Sequence, residues 1–212
     1  MDRETPEEWL DEGGRALLGR DFEATERERL LAYLDLLGRW NRTYNLTAIT
    51  DPLEQVSRHL LDSLTVLKFV DAGRLLDAGT GAGLPGVPLS IIRPDLEVTL
   101  LDSAGKKIRF LNQVRRQLGL ANIRPVQARL ESYRPDPPPD TVISRAFASL
   151  ADFAAAARGL MTANTRLLAM KGRLDKTELA ALPDWVRLDA VERLAVPGLQ
   201  AERHLVIMSL RS

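Results

Sequence analysis

No cysteine occurs anywhere in the 212 residues. Disulfides, thiolate nucleophiles and cysteine-ligated metal sites are therefore excluded. Net charge is absent too, with 29 basic and 29 acidic side chains. Any preference for a polyanion has to come from local clustering. No stretch approaches the uninterrupted apolar length of a membrane span. The opening segment, MDRETPEEWLDEG, is acidic and polar, unlike a secretory signal. Cytoplasm is the expected location, with no membrane partner. There is no internal repeat.

What is present is the composition of a folded chain. Apolar residues make up 45%, and the length suits one α/β domain with a modest extension. The zero net charge hides an asymmetry. Residues 1–40 carry eleven acids and six basic residues, whereas residues 103–134 carry eight basic residues and the single acid Glu131. Such a stretch forms either a basic face that steers a polyanion or an ordinary solvated helix.

Periodicity divides the chain at about residue 70. Residues 7–18, 24–40 and 53–70 repeat at helical spacing, with Leu30, Leu34 and Leu37 on one stripe and Val56, Leu60, Leu64 and Leu67 on another. Residues 1–70 are thus expected to be a helical extension packed on the core. Residues 71–212 read as a Rossmann-like domain. Strands are expected at 74–78, 96–102, 123–127, 141–147 (including its exit) and 165–172. Helices are expected at 85–93, 105–118, 150–160 and 174–182. The PDPPP run at 135–139 is a rigid connection. Two last strands, 185–196 and 203–210, form an antiparallel pair, because the link between them is too short for a helical crossover. The count is seven strands.

The most informative segment is LLDAGTGAGLPGVPLSIIRPDLEVTLLD, residues 75–102. It is a strand, a glycine turn, a helix and a second strand tipped by an acid, the nucleotide-binding half of an α/β sheet. A dinucleotide would place its pyrophosphate at this turn. Asp77, two residues before Gly79, opposes that charge and suits a ligand with an ammonium and a sulfonium, such as S-adenosylmethionine. A nicotinamide dinucleotide and a purely structural glycine turn stay as alternatives. On the first reading Gly79 and Gly81 let the backbone approach the methionine part. Asp102 accepts both ribose hydroxyls, or else caps the second helix. The Leu130–Glu131 pair reads the adenine edge, and Leu84 is an apolar contact.

The acceptor is narrowed by what is missing. C5 methylation of a pyrimidine needs a thiolate, and no NPPY-like stretch follows strand four to hold an exocyclic amine. A lone pair without a proton, such as N7 of guanine, requires no general base. Catalysis can then rest on alignment and on a field that tolerates charge moving onto the base.

WNRTYNLT at 40–47, RHLLDSL at 58–64, DAGTGAGLPGVPLSI at 77–91, LLDSAGKKIRFL at 100–111, SRAFASL at 144–150, KG at 171–172 and ERHLVIM at 202–208 carry a family resemblance. Together they closely resemble the bacterial 16S rRNA guanine-N7 methyltransferases known as the glucose-inhibited division protein B (RsmG) family, from about residue 24 to residue 210. The resemblance implies a class I S-adenosylmethionine-dependent methyltransferase fold and methyl transfer to N7 of guanine 527 of 16S rRNA. It also implies a cytoplasmic enzyme without a metal. The family's cofactor positions fall on Gly79, Leu84, Leu130–Glu131 and Arg145. Ala78 stands where the family often has valine, and the first 20 residues match poorly.

Several other residues have both a functional and a plain reading. Arg145 orients cofactor or target base, or is salt-bridged to Asp77 or Glu131. Lys171, at the end of strand five, contacts base or phosphate, or is a solvated end. Asn41 and Asn45 meet RNA or close a helix. His59, beside Arg58, meets phosphate, donates to Asp62, or is incidental on a helix surface. Arg203 begins the last strand, where polarity also protects an edge. Lys106, Arg109, Arg115 and Arg116 are the phosphate candidates of the basic helix. The expected partner is 16S rRNA or the small ribosomal subunit, not DNA, and the expected state is a monomer. Transfer to a small molecule or protein, and an inactive RNA-binding module, are the competing functions.

Overall fold

The computed structural model describes residues 5–211. Residues 1–4, the first part of the expected extension, lie outside the described residues, as does Ser212. Helix α1 (Pro6–Leu18) starts on a reciprocal cap. The Thr5 hydroxyl accepts from the Glu8 N–H at 3.2 Å, and the Glu8 carboxylate accepts from the Thr5 N–H at 2.8 Å. Helix α2 (Ala24–Tyr44) runs a turn beyond the expected 24–40 and closes on Asn45 in the left-handed region, φ 48°. Its Leu30, Leu34 and Leu37 are buried.

The expected continuous helix over 53–70 is not continuous. Helix α3 (Pro52–Gln55) passes through a π-helical stretch, Val56–Leu61, into α4 (Asp62–Leu64), and a separate 3₁₀ turn covers Leu67–Phe69. On a regular helix Asp62 lies roughly half a turn from Leu60, yet Leu60, Ser57, His59 and Asp62 are all buried. Both sides of the segment are covered. Helix α1 packs on it, with Trp9 Nε1–H donating to Ser57 Oγ at 2.8 Å, and the α/β domain lies across the rest. Amphipathic periodicity predicts one buried stripe, and a helix between two layers has two.

The α/β part contains β1 (Arg74–Ala78), α5 (Gly86–Ile92), β2 (Glu97–Asp102), α6 (Gly105–Gln117), β3 (Ile123–Gln127), β4 (Thr141–Ser144), α7 (Leu150–Ala157), β5 (Arg166–Lys171), α8 (Lys176–Ala180), β6 (Val186–Arg193) and β7 (His204–Leu210). The sheet order is β3-β2-β1-β4-β5-β7-β6. Strands β1 to β5 are parallel, and β7 runs antiparallel between β5 and β6. The seven strands and the closing antiparallel pair match the sequence reading. The insertion of β7 beside β5 is not visible in it.

Successive strand residues supply opposite faces. Leu75 and Leu100 join the core made with Tyr33, Leu60, Leu89 and Phe110 from the helices. Leu76 and Leu101 join the other core with Val142, Phe153 and Met208. The chain leaves β1 toward β2, and β4 lies on its other side, so the switch point is at the carboxyl ends of β1 and β4. The β3–β4 crossover is atypical. It consists of a three-residue 3₁₀ turn, Leu130–Ser132, and the proline run, with no α-helix.

Candidate active site

The loop after β1 stands at the switch point. Gly79, Gly81 and Gly83 have φ of 67°, 62° and 99°, the left-handed region that side chains disfavour. A Cβ on Gly79 would also lie 2.8 Å from Ala146 in the loop after β4. Tyr33 Oη, fully buried in α2, donates to the Ala82 carbonyl at 2.8 Å. The helical extension therefore grips the loop from outside the α/β domain. Sequence reading misses Tyr33, since it looks like one more apolar helix position.

Asp77 sits beneath this loop and is completely buried. Its Oδ2 accepts from Thr80 Oγ1 at 2.6 Å and from the Gly86 N–H at 2.8 Å. Half of the carboxylate thus braces the loop and the start of α5, a task the spacing does not reveal. Oδ1 is buried with no partner. Burial pushes the carboxyl up to about 6, against the pull of those two donors and of the Arg145 charge. An unpartnered carboxylate oxygen beneath a glycine cradle fits a cationic group, such as the ammonium of S-adenosylmethionine.

Asp102 ends β2 and is 6% exposed. Its Oδ2 accepts from the Gly81 N–H at 3.0 Å and from Lys107 Nζ at 3.2 Å, and its Oδ1 accepts from the Ala104 N–H at 2.9 Å. None of these donors is an amide inside α6, so Asp102 is not that helix's cap. Three of the four lone-pair positions are already taken. Bidentate binding of a ribose therefore requires Lys107 to yield. Asp102→Ala is expected to lower affinity for S-adenosylmethionine roughly tenfold to a hundredfold, the effect of losing a charge-assisted acceptor. Calorimetry with the variant measures it. Wild-type affinity would leave Asp102 with only its loop-bracing bonds.

The other expected cofactor positions ring the same edge. Leu130 is buried and Glu131 exposed on the 3₁₀ turn after β3, and Leu84 is 8% exposed in the glycine loop. Arg145 leaves β4 toward the extension. Its Nη1 donates to Asp62 Oδ2 at 3.0 Å and to the Arg58 carbonyl at 3.4 Å. Asp62 Oδ1 accepts from Arg203 Nε at 3.0 Å. The partner of Arg145 is thus Asp62, not Asp77 or Glu131. Three remote segments meet in an Arg–Asp–Arg cluster whose central acid is 3% exposed. In the sequence Asp62 figures only as an acceptor for His59. Its spacing carries no signal, because the two arginines lie 83 and 141 positions further along the chain.

His59 is a correction. It is not on a helix surface but 3% exposed, with Nε2 3.0 Å from Thr47 Oγ1 and Nδ1 unpartnered. It does not bond Asp62, whose carboxylate is taken by Arg145 and Arg203. Burial, then the Arg145 charge, hold it down to about 4, so it is neutral.

The remaining RNA candidates separate into engaged and free side chains. Asn41 is a loop staple, with Nδ2 donating to the Thr47 carbonyl at 2.9 Å and Oδ1 accepting from the Thr47 N–H at 2.8 Å. Asn45 is the exposed left-handed end of α2. Lys171 is not a solvated end. Its Nζ donates to the Ala148 carbonyl and pairs with Glu178, each at 2.8 Å, with 14% of the side chain exposed. Lys106 Nζ donates to the Tyr44 carbonyl at 2.9 Å. Arg58 faces Glu54 at 3.7 Å. Arg109, Arg115 and Arg116 are exposed on α6 and have no acidic partner among the described residues.

A seven-stranded sheet with antiparallel β7, a glycine loop after β1 and an acid at the tip of β2 defines the class I S-adenosylmethionine-dependent methyltransferase fold. Solved structures with this architecture include a SAM dependent methyltransferase from Aquifex aeolicus. It superposes with a TM-score of 0.57 at 18% identity over 77% of this chain and 96% of that one. TrmN from Thermus thermophilus superposes with a TM-score of 0.57 at 19% identity over 74% of this chain and 53% of that one. The profile of the GidB family, rRNA small subunit methyltransferase G, matches residues 26–206. Ribosomal RNA small subunit methyltransferase G of Pseudomonas aeruginosa (strain LESB58) is 54% identical over 192 residues, 90% of each chain. The Salmonella arizonae protein of the same name is 48% identical over 199 residues, 94% of each. The chain belongs to the rRNA small subunit methyltransferase G family.

Proposed function

We propose that the protein transfers a methyl group from S-adenosylmethionine to N7 of a guanine in small-subunit ribosomal RNA. On the family resemblance that guanine is number 527. The observation that carries this reading is a family match spanning residues 26–206 over a fold whose glycine loop lies above a buried, half-unpartnered acid. S-adenosylmethionine supplies the methyl group. Asp77 Oδ1 and the backbone at Gly79 and Gly81 hold the methionine end. Asp102 holds the ribose once Lys107 yields. Leu84 and the Leu130–Glu131 turn hold the adenine. Arg145, fixed by Asp62, orients cofactor or base at the switch point. Lys171 acts through the loop after β4, because it bonds the Ala148 carbonyl there.

No residue is needed to remove a proton, since guanine N7 carries none. The chain contributes alignment, a dry pocket and a field that tolerates positive charge on the base. Small-subunit RNA or its assembling particle is the partner, and the protein works as a cytoplasmic monomer. No helix among the described residues is long and apolar enough to cross a membrane.

The test uses purified protein, methyl-labelled S-adenosylmethionine and unmodified small-subunit RNA or particles. Label is expected in RNA, and borohydride reduction with aniline scission should cut the chain at one methylated guanine. DNA, proteins and metabolites should stay unlabelled. Label only in a metabolite or a protein would overturn the RNA assignment. Calorimetry without saturable S-adenosylmethionine binding would leave a non-catalytic RNA-binding module.

A further inference from the structure

The β3–β4 crossover leaves part of the sheet without a helix above it. Thr99 of β2 and Arg124 of β3 point to the face that α7 covers elsewhere, and both are solvent-accessible. They floor a cleft of about 700 Å³ whose walls include Arg115 from the end of α6 and Tyr133 and Arg134 from the crossover. A run of prolines forms the rim, so the wall is stiff without a helix. Arg134 is held in place. Its Nη1 donates to the Tyr133 carbonyl at 2.8 Å, and its guanidinium lies so close to Gly159 that a Cβ there would stand 2.5 Å from it. Arg115, Arg124 and Arg134 have no acidic partner within salt-bridge distance among the described residues. Arg74, at the cleft's edge, is neutralised by Asp140 at 2.8 Å. Glu97 and Asp136 are the acids of the cleft lining, and neither has a salt-bridge partner among the described residues, so the three guanidiniums outnumber them by one.

We propose that this cleft is a second RNA-docking site that takes a short single-stranded stretch of the substrate RNA. It rests on the reading that the substrate is RNA. The chemistry is that of sequence-tolerant single-strand grooves, where arginines follow the phosphates and an aromatic ring offers a stacking surface. Three unpaired guanidiniums supply the first and half-buried Tyr133 the second. The cleft opens at the amino ends of β1 to β3, and the cofactor loop is at their carboxyl ends. Five-residue β1 separates them by roughly 13 Å, a distance that one strand of RNA spans in a few nucleotides. Arginines of the basic segment that lie away from the cofactor edge thereby acquire a role. Among them, Arg124 and Arg134 are not singled out by the sequence.

The experiment measures binding of a fluorescein-labelled 12-nucleotide oligouridylate to the full chain across a salt series. The double variant Arg115→Glu/Arg124→Glu is expected to weaken binding about tenfold to a hundredfold. The slope of log affinity against log salt should flatten by roughly 0.7 for each phosphate no longer neutralised. Both residues are exposed, so the fold should persist, and calorimetry should show unchanged S-adenosylmethionine affinity. Glu97→Lys gives the opposite sign, tighter binding with a steeper slope, which a merely damaged protein does not produce. Tyr133→Ala is expected to weaken the oligouridylate and leave inorganic polyphosphate unaffected. Unchanged affinity and slope in both charge variants would overturn the proposal. Equal binding of oligouridylate and polyphosphate in wild type would replace the RNA groove with an unselective anion site. The two readings fail separately. Wild-type methylation of ribosomal RNA with unaffected groove variants removes the groove alone. Groove binding without RNA methylation removes the enzymatic reading alone.

Discussion

Asp62→Ala is expected to destabilise the protein by about 3–5 kcal/mol, the usual effect of removing one partner from a buried ion cluster. The carboxylate is 4% exposed and faces Arg145 and Arg203, whose side chains are 26% and 22% exposed. Part of the freed charge is therefore rehydrated, and the lower half of the range applies. Thermal unfolding should shift down by roughly 6–16 °C for a chain of this size. Function should suffer more than stability. Arg145 loses its anchor at the switch point, and the tie from α4 to β4 and β7 disappears. Asp62→Asn separates the two effects. It keeps the shape and one acceptor but turns a donor toward a guanidinium, so it should fold better than the alanine variant and still transfer methyl poorly. A wild-type unfolding midpoint in Asp62→Ala would show that the cluster is a dispensable surface feature.

Asp77→Asn should separate stability from cofactor binding more sharply. The asparagine oxygen can keep the bonds from Thr80 and Gly86 and place its NH₂ where Oδ1 now has no partner. A donor then faces the ammonium of the cofactor, and S-adenosylmethionine affinity should fall a hundredfold or more, since charge-assisted bonds are worth roughly twice neutral ones.

The same substitution should uncover a hidden pH dependence. The folded-state value of Asp77 is raised from 3.8 to about 6, so the folded state holds the extra proton between those values. Its contribution is present below 3.8 and is lost as pH rises through 6. His59 is lowered from 6.5 to about 4, so there the unfolded state holds the extra proton. Its contribution is present above 6.5 and is lost as pH falls through 4. Each amounts to about 3 kcal/mol. Between pH 4 and 6 these two slopes oppose and cancel each other. Asp77→Asn removes the opposing slope, and on acidification its stability should fall more steeply than the wild type's, by about 1.4 kcal/mol per pH unit. Urea unfolding at pH 6 and pH 4.5 reads the difference. Parallel profiles for the two proteins would show that Asp77 does not hold the proton.

Much of the fold is legible in the sequence because the signals are local. The strands at 74–78 and 123–127 have the boundaries expected of them, and those at 97–102 and 166–171 agree within a residue, because each is a short run set between turn residues. The glycine loop is legible because positive φ requires glycine at 79, 81 and 83. Extrapolating one helical period over 53–70 fails at the π-helical stretch. Burial of that helix between α1 and the α/β domain rewards polar residues such as Ser57 and Asp62 inside, and periodicity cannot anticipate them.

Site residues divide in the same way. Asp77 and Asp102 are legible because a strand delivers an acid at its tip, but their bonds to Gly86, Ala104 and Lys107 are not. The plain readings of Lys171 as a solvated end and of His59 as incidental on a helix surface fail because a charged or ionisable side chain looks solvated until the structure shows what covers it. The sequence alone determined the nucleotide-binding unit, the closing antiparallel pair and the family, since these rest on residues adjacent in the chain. Tertiary structure alone decided that β7 enters between β5 and β6, that Tyr33 grips the loop, and that Arg145 pairs with Asp62 instead of Asp77 or Glu131. The side-chain bonds of Tyr33 and of the Asp62 cluster join residues separated by 49 to 141 positions. Their geometry comes from how helix and sheet layers pack, and no spacing within a single segment encodes it.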